Sequence, residues 1–229
     1  MSSFPERVAG IGALADPLRR DLYLFICAQD HAVSRDEAAD AVDVPLHKAK
    51  FHLDRLAADG LLDVEYARLS GRSGPGAGRP SKLYRRSATE ISVSLPEREY
   101  ELAGRLMAEA IAASSRDGSP VLDALVTVAS EHGRVLGRAA REDATAGDAL
   151  GIACAALAAN GYEPRAESGS VTLANCPFHS LAESHTDLVC RMNLALVEGV
   201  VDGVGADDVD AQLDPADGRC CVVLAERTR

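Results

Sequence analysis

The sequence predicts an α+β protein whose two halves differ in charge. Between residues 14 and 60, apolar side chains recur every three or four positions, which is the period of a helix. Short β-prone runs flank turn-rich segments near residue 75 and again beyond residue 163. Residues 1–88 hold 13 Lys+Arg and 12 Asp+Glu, whereas the remaining residues hold 11 and 23. We therefore predict separate N-terminal and C-terminal units, since 229 residues suffice for two cores.

The first predicted helix spans residues 14–28. Leu14, Leu18 and Leu22 follow one another at helical spacing, and Asp16-Pro17 is a start signal. Cys27 lies on this helix among apolar neighbours, which is typical of a buried structural thiol.

Two further helices are predicted at residues 36–41 and 45–59. Ser34 and Glu37 have the spacing of a capping box, and residues 42–44 turn the chain. Gly60 is a C-terminal stop signal for the third helix. The predicted inward residues of that helix are Leu46, Ala49, Leu53 and Leu56.

A basic hairpin is predicted next. The β-prone runs 61–67 and 81–85 flank a Gly-rich loop, and the stretch 68–86 contains six basic residues and no acidic one. The order of helix, capped helix, turn, basic helix and basic hairpin predicts a winged helix-turn-helix domain over residues 1–90. Its candidate DNA-binding residues are His47, Lys48, Lys50, Phe51, His52, Arg55, Arg68, Arg72, Arg79 and Lys82.

Residues 91–145 are predicted to form a helical linker and dimerisation region. Helical periodicity covers residues 96–115 and 121–142, and neither helix carries a catalytic constellation. Gly133 and Gly137 would allow close helix approach.

Residues 146–229 are predicted to form a small α+β sensor domain. We expect a helix over 147–161, a hairpin over 163–175, one or two helices over 177–204 and a second hairpin over 208–227. The sheet should therefore be antiparallel.

This C-terminal region concentrates metal-ligating residue types. Four of the six cysteines and two of the six histidines lie between residues 176 and 221. Soft thiolates with an optional imidazole favour zinc or an iron-sulfur cluster. The candidate ligands are Cys176, His179, Cys190 and Cys221, with His185 in reserve.

The positions of the cysteines predict the pKa of one thiol and the orientation of two others. Cys176 precedes Pro177, which can open a helix, so a helix N-terminus would lower the pKa of its thiol. Without a β-bulge, Cys220 and Cys221 would point to opposite faces of a strand, so only one of them could reach the site, and we favour Cys221. The cysteines could instead be buried core residues.

Six motifs carry a family resemblance. LADPLRR (14–20), KFHLDRL (50–56) and GRPSKLY (78–84) resemble the DNA-binding domains of ArsR-like winged-helix repressors. NCPFH (175–179), LVC (188–190) and GRCC (218–221) resemble the C-terminal pattern of SufR-type regulators. The first resemblance implies a dimer that reads a near-palindromic operator, and the second implies a cysteine-ligated iron-sulfur cluster.

The chain departs from both families. The Cys-Val-Cys motif of arsenic sensors is missing. SufR-type proteins have four cysteine ligands, whereas the fourth ligand here is His179, the second of the adjacent cysteines or an exogenous group.

The sequence therefore predicts a homodimeric transcriptional repressor that binds double-stranded operator DNA under control of an iron-sulfur cluster or zinc. The alternatives are a regulator with a small organic effector, and an enzyme built on Cys176, which no oxyanion or nucleotide-loop motif supports. No apolar run approaches the roughly 20 residues of a membrane span, and no signal peptide begins the chain, so we expect a cytoplasmic location.

Overall fold

The computed structural model describes residues 4–67, 80–167, 169–216 and 218–227. The chain divides into two compact units, Met1–Val93 and Ser94–Arg229, each with its own hydrophobic core. Both units combine helices with a small antiparallel sheet, as expected for an α+β protein. None of the helices among the described residues is long and apolar enough to cross a membrane.

The N-terminal unit contains four helices and three strands within its described residues. They are α1 (Phe4–Ala13), α2 (Pro17–Cys27), β1 (Val33–Ser34), α3 (Arg35–Ala41), α4 (Leu46–Ala58), β2 (Leu62–Ala67) and β3 (Ser81–Arg86). The strand order is β1-β3-β2, and both pairings are antiparallel. Helix α1 and the short strand β1 were not predicted.

Local signals set the helix ends in this unit. Asp16 caps α2, where its carboxylate accepts a hydrogen bond from the backbone N–H of Arg19 at 2.9 Å. Both hydrogen bonds of the capping box between Ser34 and Glu37 are present at the start of α3. Asp43, in the turn before α4, has a φ of 52°, a left-handed conformation that a short polar side chain tolerates better than most.

The C-terminal unit contains five helices and four strands within its described residues. They are α5 (Tyr100–Asp117), α6 (Val121–Asp143), α7 (Ala149–Ala158), β4 (Pro164–Glu167), β5 (Ser170–Leu173), α8 (His179–Ser184), α9 (Thr186–Val204), β6 (Val209–Leu213) and β7 (Val222–Glu226). The strand order is β4-β5-β7-β6, and all pairings are antiparallel. Helices α5 and α6, from the predicted linker and dimerisation region, share one hydrophobic core with this sheet.

Helices α6 and α9 cross at a glycine-lined contact. A Cβ atom added at Gly133 would lie 2.1 Å from the backbone oxygen of Leu196, and one added at Gly137 would lie 2.3 Å from that of Val200. Gly199 faces the same crossing, since its added Cβ would lie 2.2 Å from the Ser130 oxygen. Gly133 and Gly137 therefore do permit close helix approach, and their partner is a helix of the same chain.

Candidate DNA-binding surface and cysteine cluster

Helix α4 separates an apolar face from a basic one. Ala49, Leu53 and Leu56 are fully buried in the N-terminal core. Leu46, which was expected to point inward, is 46% exposed because it is the first residue of the helix. The solvent-exposed side chains are the predicted DNA-binding residues His47, Lys48, Lys50, Phe51 and Arg55, and His52 is half-buried.

The aromatic and basic residues of this surface differ in their neighbours. Phe51 is 67% exposed and meets the His52 ring edge-on, with 5.2 Å between ring centroids. His52 Nδ1 is buried without a hydrogen-bond partner among the described residues. Arg55 donates a hydrogen bond to Asp59 at 2.8 Å, four residues further along the helix. The surface is thus rich in donors suited to phosphates and base edges.

Asp54 connects α4 to α3 and to the strand β3. Its carboxylate accepts hydrogen bonds from Arg35 at 3.0 and 3.1 Å, from Lys82 at 2.5 Å and from the hydroxyl of Tyr84 at 2.6 Å. Although partial burial acts in the opposite direction, these donors lower the pKa of Asp54 to about 2. Lys82, a predicted DNA-binding residue, is therefore already paired with a carboxylate of α4.

The predicted wing corresponds to β2 and β3. Six residue pairs align from Leu62 with Arg86 to Ala67 with Ser81. Arg68, Arg72 and Arg79 lie outside the described residues.

Part of the N-terminal unit is similar to a known domain family. Residues 14–65 match the family model of a helix-turn-helix domain. Comparison with curated proteins and with solved structures gives no match. The helix-turn-helix match runs from the residues before α2 to the middle of β2 and includes the whole of α4. A helix-turn-helix domain is typical of DNA-binding transcription regulators, a class without enzymatic activity as a rule.

Four cysteines meet in the C-terminal unit, and three separate segments supply them. Cys176 lies between β5 and α8, Cys190 lies on α9, and Cys220 and Cys221 directly precede β7. Cys176, Cys190 and Cys220 are buried, and Cys221 is half-buried. We call these four residues the cysteine cluster.

The four thiols of the cluster interact with one another. Cys220 interacts with Cys176 and with Cys221, and Cys221 interacts with Cys190. These neighbours lower the pKa of Cys220, whereas the interaction with Cys220 and burial raise the pKa of Cys176 and Cys221.

A buried polar pair supports the cluster from the side of α9. The side-chain amide of Asn193 donates a hydrogen bond to the sulfur of Cys220 at 3.1 Å. Asn193 in turn accepts a hydrogen bond from the hydroxyl of Tyr162 at 2.5 Å. Neither residue was predicted as part of the site. Asn193 could have been noticed, since it lies three residues after Cys190 in an otherwise apolar stretch.

The structure corrects one prediction about the cysteines. Cys176 lies three residues before the first residue of α8, and its pKa is raised by a neighbouring thiol and by burial, so the prediction of a lowered pKa was wrong. Cys220 and Cys221 both precede β7, and both interact with other thiols of the cluster. The choice of Cys221 as the ligand stays a prediction.

The side chains of the two candidate histidine ligands are exposed. His179 begins α8, its side chain is 56% exposed, and its Nε2 lies 3.5 Å from a carboxylate oxygen of Glu183. His185 is exposed between α8 and α9. As placed, no group of three or more His, Cys, Asp or Glu side chains could hold a metal ion in the part of the chain that the structure describes.

Proposed function

We propose that this chain is a transcriptional repressor whose affinity for operator DNA is controlled by the state of its cysteine cluster. The helix-turn-helix match over residues 14–65 and the exposed basic face of α4 support the DNA-binding part. The observation that carries the sensing part is the meeting of four thiols from three chain segments. Packing alone does not require four neighbouring thiols, because a buried cysteine ordinarily packs as a small apolar residue.

We infer that the ligand of the cluster is an iron-sulfur centre, with zinc as the alternative. Thiolate sulfur is the donor that both prefer, and four cysteines match the four ligands of the SufR-type pattern. The second of the adjacent cysteines takes the fourth place that the sequence assigned to His179. When bound, such a centre would respond to the supply of iron, oxygen or metal, because its occupancy and its redox state depend on that supply.

Binding of a metal centre would have to rearrange the cluster. As placed, the thiols interact with one another, and no group of three or more ligand side chains among the residues described could hold a metal ion. Ligation would therefore have to shift the three segments that carry Cys176, Cys190 and the pair Cys220-Cys221. This rearrangement is the proposed signal. It has to reach the recognition helices of a homodimer, which would read half-sites roughly 34 Å apart.

Anaerobic purification tests the ligand directly. A broad absorption band near about 400 nm, with iron and sulfide by analysis, is expected for wild type. Cys176→Ser and Cys190→Ser should abolish it, whereas Cys154→Ser, on α7, should keep it. Colourless protein with stoichiometric zinc would assign zinc. Protein without any metal would refute the metal proposal and favour a small organic effector.

DNA binding is tested on duplexes selected from a random library by the wild-type protein. Lys50→Ala on α4 should weaken binding to the selected duplex more than to mixed-sequence DNA. Arg79→Ala should weaken binding to both and reduce the salt dependence by about one phosphate contact. If neither variant changes the affinity, the assignment of the DNA-binding surface is wrong.

A further inference from the structure

One short segment joins the DNA-binding unit to the C-terminal unit. The first compact unit ends at Val93, and α5 begins at Tyr100. Residues 94–99, which we call the strap, lie between them and belong to the C-terminal unit. The strap is therefore the first part of the C-terminal unit after the chain leaves the N-terminal unit.

Arg98 attaches the strap to the loop that carries Cys176. Its guanidinium donates a hydrogen bond to the backbone oxygen of Cys176 at 3.1 Å and another to the side-chain oxygen of Asn175. The backbone N–H of Arg98 is itself held by the hydroxyl of Ser94 at 2.8 Å. Arg98 is half-buried, which protects charge-assisted hydrogen bonds from solvent.

Asn175 fixes the same loop from the other side. This buried side chain donates hydrogen bonds to the backbone oxygens of Glu97 at 2.9 Å and Gly161 at 2.5 Å. A buried polar group without a hydrogen bond costs free energy, so loss of either hydrogen bond by this amide would be unfavourable unless another acceptor replaced it. Asn175 thus links the strap, the loop and the end of α7.

Two more hydrogen bonds continue the attachment beyond Arg98. The backbone N–H of Glu99 donates to the oxygen of Pro177 at 3.1 Å. The hydroxyl of Tyr100, the first residue of α5, donates to the hydroxyl of Ser180 on α8 at 2.9 Å. The strap and the start of α5 are therefore bound to the Cys176 loop along its length.

We infer that Arg98 and Asn175 are positioning residues that transmit the state of Cys176 to the strap. The thiol of Cys176 belongs to the cysteine cluster, while its backbone oxygen is bound by Arg98. A shift of Cys176 on ligation consequently displaces the strap, and with it the attachment of the winged helix. This inference rests on the proposed function, because it requires that the cluster change state.

The test compares operator affinity before and after loading full-length protein with ferrous iron and sulfide under anaerobic conditions. For wild type we expect a ratio of Kd values of at least tenfold, within the usual range of allosteric coupling. Arg98→Gln should reduce this ratio to threefold or less while its iron and sulfide content and its unloaded Kd remain those of wild type. Arg98→Lys keeps the charge and one donor, and should recover part of the ratio.

The control is Arg227→Gln. Arg227 hydrogen-bonds Asp210 at the far end of β7 from the cysteines, a strand length of roughly 17 Å, and its variant should keep the full ratio. A full ratio in Arg98→Gln would overturn the inference. A ratio of one in loaded wild type would overturn the proposed function as well.

A second measurement needs no variant. Hydrogen exchange of wild-type peptides from residues 94–100 should change at least threefold on loading with iron and sulfide. Unchanged exchange in a protein that loads and alters its DNA affinity would also overturn the inference, and would leave the proposed function intact.

Discussion

Replacement of Asp54 by asparagine should destabilise the N-terminal unit in a pH-dependent way. The pKa of about 2, compared with 3.8 unperturbed, corresponds to about 2.4 kcal/mol at 1.36 kcal/mol per pKa unit. The Asp54 side chain is 36% exposed, so solvent screening reduces the expected loss to about 1–1.5 kcal/mol. Arg35 and Lys82 would each lose a carboxylate partner, and Tyr84 would keep only a weaker acceptor.

The sign of the pH dependence follows from the lowered pKa. The stabilisation by ionised Asp54 is complete above the unfolded pKa of 3.8 and is lost as the pH falls through about 2. The difference between wild type and Asp54→Asn should therefore shrink to roughly half near pH 3.

Urea unfolding followed by hydrogen exchange of peptides from residues 46–67 measures the N-terminal unit separately from the C-terminal one. Glu65→Gln is the control, because its ion pair with Arg85 is half-exposed and 3.9 Å long, and it should cost less than about 0.5 kcal/mol. A difference below about 0.3 kcal/mol between Asp54→Asn and wild type at pH 7, or an equal difference at pH 3, would refute the reasoning.

Four further substitutions test a helix crossing, a buried hydrogen bond and a helix cap. Gly133→Ala forces apart the backbones of α6 and α9 and should lower the free energy of unfolding by about 3 kcal/mol or more. The control Gly104→Ala, on the exposed face of α5, should raise the free energy of unfolding by up to about 1 kcal/mol. Thermal unfolding distinguishes the two outcomes. Tyr162→Phe leaves the buried oxygen of Asn193 without its donor and should cost about 1–3 kcal/mol in urea unfolding, so an unchanged midpoint contradicts the hydrogen bond. Ser34→Ala removes the cap of α3 and should cost about 1 kcal/mol, which hydrogen exchange of residues 35–41 would report.

The sequence predicted most of the helices because their signals are local. Asp16 and the Ser34 capping box fixed two helix starts, and Gly60, with a φ of 77°, follows α4 as expected. Helix α1 was not predicted because its apolar residues do not form a buried face of ordinary width. Phe4, Val8 and Ile11 are each 40% or more exposed.

The site was harder to predict because it depends on contacts between distant residues. The cysteine-rich region was recognisable from composition, yet the inclusion of Cys220 depends on where β7 begins, and strand ends are poorly defined by sequence. The role of Arg98 toward Cys176 is a contact across 78 residues that no local pattern encodes. No local pattern indicates the partners of Asp54 either, since Lys82 and Tyr84 follow it by 28 and 30 residues.

The glycine-lined crossing of α6 and α9 has a mechanical consequence. Cys190 and Asn193 lie near the start of α9, and the crossing glycines lie further along the same helix. At an ordinary helix contact, side chains accommodate small displacements by changing rotamers. Where two backbones are in direct contact, no side chain lies between them to do so. A displacement of α9 would therefore be passed on to α6, a helix of 23 residues with a length of roughly 34 Å.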